Sequence, residues 1–313
     1  NMNSQTSIAR LIATIAGIAL LLSVCVPTAT KVPTATPVPV TVTPHPTETR
    51  QTPTDTPLLS KPPELVLATN KVAGPDYPEH VVYTLPEMDR VLLASALPFS
   101  SEYSTDLLMD IYYPPDYQFK TKLPVVVIVR GFSDKGGQSQ SDKDIQQAID
   151  WAKLFAASGM IAVAAQAGIS PASALNHVLD YLTSNADQLG IDATRIGFWG
   201  CSAQGWPANL IFPKSPYRDS FRAAVFLYSD LQIIPASWPK DLSLFVVRAG
   251  KDELIDGSTI DKYVDSARAN NIPVDYIVLP DAVHGFDAYQ DTQASKDAVQ
   301  QTLAFLKSKL LAR

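Results

Sequence analysis

From residue 91 onward, apolar residues recur with two different periods, and the alternation between them predicts the architecture. Segments 91–97 (VLLASAL) and 106–113 (DLLMDIYY) read as strands, the second stopped by Pro114-Pro115. Segment 123–129 (LPVVVIV) is continuously apolar and rich in branched side chains, as in a strand covered on both faces of a parallel sheet. Helix then follows strand. Segment 144–158 carries Ile145, Ala148, Ile149, Ala152, Leu154 and Phe155 at helical spacing and stops at Gly159. Further strands are predicted over 160–165, 195–199, 221–228, 242–247 and 274–279, and helices over 173–189, 260–269 and 294–311. Repeated strand then helix means a mostly parallel sheet flanked by helices, with right-handed crossovers. The two leading strands, joined by a short turn, form an antiparallel edge. No internal repeat or second folded domain is evident.

The first 63 residues follow other rules. Segment 11–26 (LIATIAGIALLLSVCV) is uncharged, preceded by Arg10 and broken by Pro27. It is short for a membrane span, which needs about 20 residues, and has the layout of a secretory signal peptide. Its end, Leu22-Ser23-Val24-Cys25, resembles the lipobox of bacterial lipoproteins, although Val24 replaces the usual small residue. That resemblance implies a lipid on Cys25 and a membrane association through that anchor alone. Residues 26–63 hold ten prolines and eleven threonines but no glycine or aromatic residue. Such a segment cannot build a core and is expected to be a disordered stalk, extended to at most on the order of 120 Å. The expected organisation is a signal peptide at 1–25, a stalk at 26–63 and one folded domain at 64–313, exported and held at the cell envelope.

Composition narrows the partners. Hydrophobic residues make up 46% of the 313 and charged residues only 18%, which suits a large core. The net charge of −6 and the absence of a basic run argue against a nucleic-acid partner. The only cysteines are Cys25 and Cys201, so lipidation of the first leaves the second without a disulfide partner. Nothing in the sequence indicates a metal, and the oligomeric state is not legible.

The turn after predicted strand 195–199 reads Gly200-Cys201-Ser202-Ala203-Gln204-Gly205. A serine between a strand and a helix, flanked by small residues, resembles the nucleophile elbow of the α/β-hydrolases, with Gln204 where the second glycine usually stands. Dienelactone hydrolases, whose fold the chain resembles, use a cysteine at the elbow, which makes Cys201 a rival. Spacing favours the serine: Gly200 lies two residues before Ser202, whereas the bulky Trp199 lies two before Cys201. The alternative for Cys201 is a small buried hydrophobe.

The resemblance implies an eight-stranded type of α/β-hydrolase sheet and a triad in the order serine, acid, histidine. Asp252 comes a few residues after predicted strand 242–247 and matches the acid, with Glu253, Asp256 and Asp230 as alternatives. His284, just past the last predicted strand, matches the base. Of the other histidines, His45 lies in the stalk, His80 precedes the first strand, and His177 lies within a helix, where a hydrogen-bonded structural role is expected. Histidine titrates near neutrality and so suits a base that activates a serine hydroxyl, while the acid orients it. The resemblance further implies oxyanion donors at the backbone N–H groups of Ala203 and of Phe132, in Arg130-Gly131-Phe132 after strand 123–129.

In functional terms the resemblance implies a serine hydrolase, here expected to be exported, that cleaves carboxylic esters through an acyl-enzyme without metal or organic cofactor; small or polymer-bound esters are the expected substrates. Only thirteen residues separate Tyr228 from Leu242, too few for a large helical cap, so an open cleft is expected. The stalk suggests acylated polysaccharide or other scavenged esters as substrates. Two other readings stay open. One is a prolyl-oligopeptidase-like serine peptidase, although 64–105 is too short for a propeller; the other is an inactive surface binding protein that retains the fold.

Overall fold

The computed structural model describes residues 56–73, 79–102, 105–129, 142–167 and 170–312. The apolar segment with Cys25, the stalk up to residue 55 and the loop with Arg130 and Phe132 lie outside them.

Among the described residues, nine strands form one sheet: β1 (Val66–Leu67), β2 (Leu92–Glu102), β3 (Thr105–Tyr113), β4 (Leu123–Val129), β5 (Ile161–Ala165), β6 (Ile191–Cys201), β7 (Phe221–Leu227), β8 (Ser243–Ala249) and β9 (Val274–Leu279). Their spatial order is β1-β2-β3-β5-β4-β6-β7-β8-β9. The expected antiparallel edge is present, since β1, β2 and β3 pair antiparallel and β3 pairs antiparallel with β5. All pairings from β5 through β9 are parallel. The sheet has nine strands where the resemblance implies eight. The extra one is β1, two residues long and too short for any periodicity to announce it.

Alternation along β4 divides the core. Val125 and Val127 face one layer, with α2 (Pro171–Ser184), α4 (Gly205–Ile211) and α5 (Gly257–Ala269); Val126 and Ile128 face the other, with α1 (Gln146–Ala157) and α7 (Gln293–Leu310). These four side chains are almost fully buried, each worth about 1.5–3 kcal/mol relative to exposure. A strand covered on both sides must be apolar at every position, which is why 123–129 shows no alternation.

The helix expected over 173–189 is broken. Buried Asn185 ends α2 and precedes the short α3 (Ala186–Leu189). Its amide donates to the Pro57 carbonyl at 3.0 Å and accepts from the Leu59 N–H at 2.7 Å. The segment around Pro57–Leu59 is thereby fixed to this layer, and the described residues form one compact unit. A four-residue helix, α6 (Phe286–Tyr289), is likewise beyond sequence reading, because one turn carries no period.

Helices on opposite layers leave adjacent strands β4 and β6: α1 comes after β4 on one face and α4 after β6 on the other. At such a switch point the chain departs in two directions and opens a crevice at the carboxyl ends of the strands. Ser202 is the first residue after β6.

Candidate active site

The elbow is a strained turn held in place from several sides. Ser202 has φ +52°, a region that costs a non-glycine residue roughly 1–3 kcal/mol and persists only when its surroundings impose it. The Asp230 N–H donates to the Ser202 carbonyl at 2.7 Å, and the Ser229 hydroxyl donates to the Gly200 carbonyl at 3.1 Å. Gln204, the departure from the usual motif, is buried, and its Oε1 accepts the Cys201 N–H at 2.9 Å. Its side chain thus closes the turn from inside.

The glycine displaced to position 205 does steric work instead. A β-carbon there would lie 2.7 Å from the Asp230 carbonyl oxygen and 2.6 Å from Leu231, so α4 approaches the end of β7 only because no side chain intervenes. Gly205→Ala is expected to push α4 outward and weaken the Asp230–Ser202 bond. We expect a loss of about 1–3 kcal/mol in urea unfolding, typical of overpacking.

Residues 82 and 32 positions apart meet at the carboxyl end of the sheet. His284 Nε2 lies 2.9 Å from Ser202 Oγ, and His284 Nδ1 lies 2.9 Å and 3.1 Å from the two Asp252 oxygens. A carboxylate only accepts, so Nδ1 carries the proton and Nε2 accepts from the serine hydroxyl. Asp252, on the loop after β8, has a side chain only 4% exposed. Its Oδ1 also accepts the N–H groups of Leu254 and Ile255 at 2.9 and 3.0 Å, which fixes the carboxylate before the histidine reaches it. His284 enters from the turn after β9, followed by Gly285 at φ +75°, where a β-carbon would lie 2.5 Å from the Tyr289 ring. Gly285 lets the chain turn abruptly into α6.

The alternative acids have other roles in the geometry. Asp256 caps α5, accepting the Ser258 N–H at 2.9 Å, and that bond together with the Ser258 hydroxyl holds its carboxyl below the usual carboxylate range. Asp230 accepts the Gln232 N–H at 3.2 Å, and Glu253 is exposed. Cys201 is buried, and its Sγ donates to Gln147 Oε1 at 3.9 Å, away from Ser202 and in keeping with the apolar reading. Ala203 lies directly after the serine in the 3-10 turn Ser202–Gln204, whereas Phe132 is outside the described residues.

A buried polar cluster behind the histidine is not legible in the sequence. It joins Tyr228 at the end of β7, Gln147 and Trp151 on α1, and Asp287 on α6. The available signal is faint: Gln147 is a polar residue within the apolar stretch of α1, one helical turn before Trp151. Elsewhere, His177 Nδ1 lies 2.8 Å from Ser100 Oγ, the structural role expected for it. The pair borders a cavity of about 150 Å³ near Asp106 and Pro57, whose polar groups bond one another: the Ser101 hydroxyl donates to Asp106 at 2.6 Å. Among the described residues, no group of three or more His, Cys, Asp and Glu side chains is arranged to hold a metal, and no helix is long and apolar enough to cross a membrane.

Comparison with known proteins agrees with this architecture. The sequence model of the BD-FAE family matches residues 109–215, a stretch that runs from β3 past the elbow and stops before Asp252 and His284. No curated protein matches the chain in sequence. Among solved structures, esterase 2 of Thermogutta terrifontis with propionate bound is similar at 20% identity, with a TM-score of 0.58 over 73% of this chain and 98% of that one. The same esterase phosphorylated by paraoxon gives 20% identity and a TM-score of 0.59 over 73% and 98%. Its cyclosarin-phosphonylated form gives 19% and 0.56 over 70% and 96%. A mostly parallel sheet in this strand order, with helices on both faces and this similarity to a solved esterase, gives the chain the α/β-hydrolase fold.

Proposed function

We propose that the protein hydrolyses carboxylic esters, with Ser202 as nucleophile, His284 as general base and then general acid, and Asp252 orienting the imidazole. The observation that carries this reading is the continuous chain from Ser202 Oγ through His284 to Asp252, both links at 2.9 Å, set at the switch point of the sheet. Ser202 Oγ attacks the ester carbonyl while His284 Nε2 takes its proton. The resulting imidazolium is stabilised by Asp252 and returns the proton to the departing alcohol. Water then enters by the reverse of these steps and releases the acid. The developing oxyanion requires donors fixed in advance, which we assign to the N–H groups of Ala203 and Phe132.

The surroundings support an open ester site. No helix lies between β7 and β8. Apolar Leu254 and Val283, close in sequence to the acid and the histidine, are 74% and 39% exposed and offer a surface for an acyl or alcohol group. The structurally similar Thermogutta terrifontis esterase 2 has been solved with propionate and with butyrate, which favours short acyl chains here.

The test is fluorophosphonate labelling of the full chain, with the adduct mapped by peptide mass and activity measured on 4-nitrophenyl esters of increasing acyl length. We expect an adduct on Ser202 that persists in Cys201→Ser and is lost in His284→Ala. A folded protein that takes no adduct at Ser202 and cleaves no ester in the panel would refute the proposal.

A further inference from the structure

Asp287 is fully buried, and the groups bonded to its carboxylate are uncharged donors. Its Oδ1 accepts the Tyr228 hydroxyl at 2.5 Å, and its Oδ2 accepts Gln147 Nε2 at 2.8 Å and Trp151 Nε1 at 2.7 Å. The second proton of the Gln147 amide goes to the Tyr228 oxygen at 2.9 Å, and Gln147 Oε1 accepts from Cys201 Sγ. Tyr228 and Gln147 thus close a ring of hydrogen bonds on the Asp287 carboxylate. An acidic side chain bonded only to neutral donors is an expensive way to fill a core, and an apolar residue of similar volume would serve packing better.

The elements tied together explain its presence. Asp287 lies three residues after His284. Tyr228 is almost fully buried at φ +40°, a second strained residue at the carboxyl end of the sheet, and its ring stands edge-on to the His284 imidazole with centroids 4.7 Å apart. Cys201 immediately precedes the nucleophile. Burial, reinforced by Asp287, pushes the Tyr228 hydroxyl well above the usual tyrosine range, so it stays a donor. Phe286 also packs edge-on to Tyr228, with centroids 5.3 Å apart, and restricts the ring further.

We infer that Asp287 and Tyr228 are positioning residues for His284: the buried carboxylate locks the Tyr228 ring, and the ring holds the imidazole in line between Ser202 and Asp252. The inference rests on the proposed ester hydrolysis only for its kinetic readout. An imidazole allowed to drift loses alignment with the serine, and displacements of about 1 Å cost on the order of 100-fold in rate.

The test uses the full chain and two variants. Tyr228→Phe keeps the ring but removes the hydroxyl, and Asp287→Asn keeps the shape but replaces an acceptor by a donor. With 4-nitrophenyl butyrate, well below each melting temperature, kcat is expected to fall about 10- to 100-fold in both while KM changes less than about twofold. In protein labelled with 15N-histidine, the Nδ1–H resonance of His284 is expected to shift or broaden in both. Folded variants with lower melting temperature but unchanged kcat and an unchanged His284 resonance would reduce the network to core packing and overturn the inference. Should Asp287→Asn not fold, Tyr228→Phe, which loses a single oxygen, decides the matter by the same two readings. If the wild-type protein proves inactive on esters, the proposed function falls, while the resonance still reports whether the ring is held.

Discussion

Ser202→Ala is expected to lower kcat on 4-nitrophenyl butyrate by roughly 10⁴- to 10⁶-fold, and His284→Ala by a similar factor. In the proposed mechanism the serine supplies the atom that bonds to the acyl carbon, and the histidine supplies the acceptor for its hydroxyl, 2.9 Å away. Because the two act as one unit, the double variant should be no slower than the slower single variant. Additive losses would mean that they contribute to separate steps. Alanine at 202 inherits the φ of +52° without any new contact, so circular dichroism and urea unfolding should match the wild type. The residual rate then measures what the oxyanion donors and substrate binding provide without a nucleophile.

Asp252→Asn is expected to cost roughly 10⁴-fold in kcat, for a reason visible in the hydrogen bonds. The Oδ1 position is committed to two backbone donors, the N–H groups of Leu254 and Ile255. An asparagine must keep its carbonyl oxygen there, which points its NH2 at His284 Nδ1 from the Oδ2 position, 2.9 Å away. Two donors cannot share the 2.9 Å contact, and the carbonyl oxygen left 3.1 Å away is already shared with two backbone donors, so the balance shifts toward the tautomer in which Nδ1 accepts and Nε2 carries the proton. The Ser202 hydroxyl then meets a donor in place of an acceptor. Kinetics at neutral pH, with unfolding as a control, would check this. Near-normal turnover in a folded Asp252→Asn protein would move the acid to Glu253 or Asp230.

The alternative readings bear differently on these outcomes. A binding protein that merely retained the fold predicts no turnover to lose. Yet the strained serine costs stability, and a buried carboxylate bonded only to neutral donors behind the histidine is not what packing alone requires. Cys201, a candidate nucleophile on its residue type alone, faces Gln147 and the interior, so its position beside Ser202 gives it no access to the cleft.

Local chemistry determined what is legible in the sequence. Segments 123–129 and 274–279 are strands residue for residue as the pattern predicts, because a short run dominated by β-branched, aromatic and other apolar residues leaves a one-dimensional trace. Ser202, Asp252 and His284 are each identifiable because each occupies a short turn after a strand, where the neighbouring residues state the local geometry. Gly205 is visible as a displaced glycine, though not the Asp230 carbonyl it clears. Tertiary structure alone decided the rest. Strand β6 runs from Ile191, beyond the expected 195–199, because Ile191 pairs with Leu123 across the sheet. Asn185 breaks an otherwise helical pattern because Pro57 and Leu59 arrive from 126 or more residues away to bond it. The Asp287 cluster joins positions separated by 59 to 140 residues, with no shared period or motif. Periodicity records which face of an element is buried, whereas a buried polar network depends on which elements the sheet brings together, and that information exists only once the chain has folded.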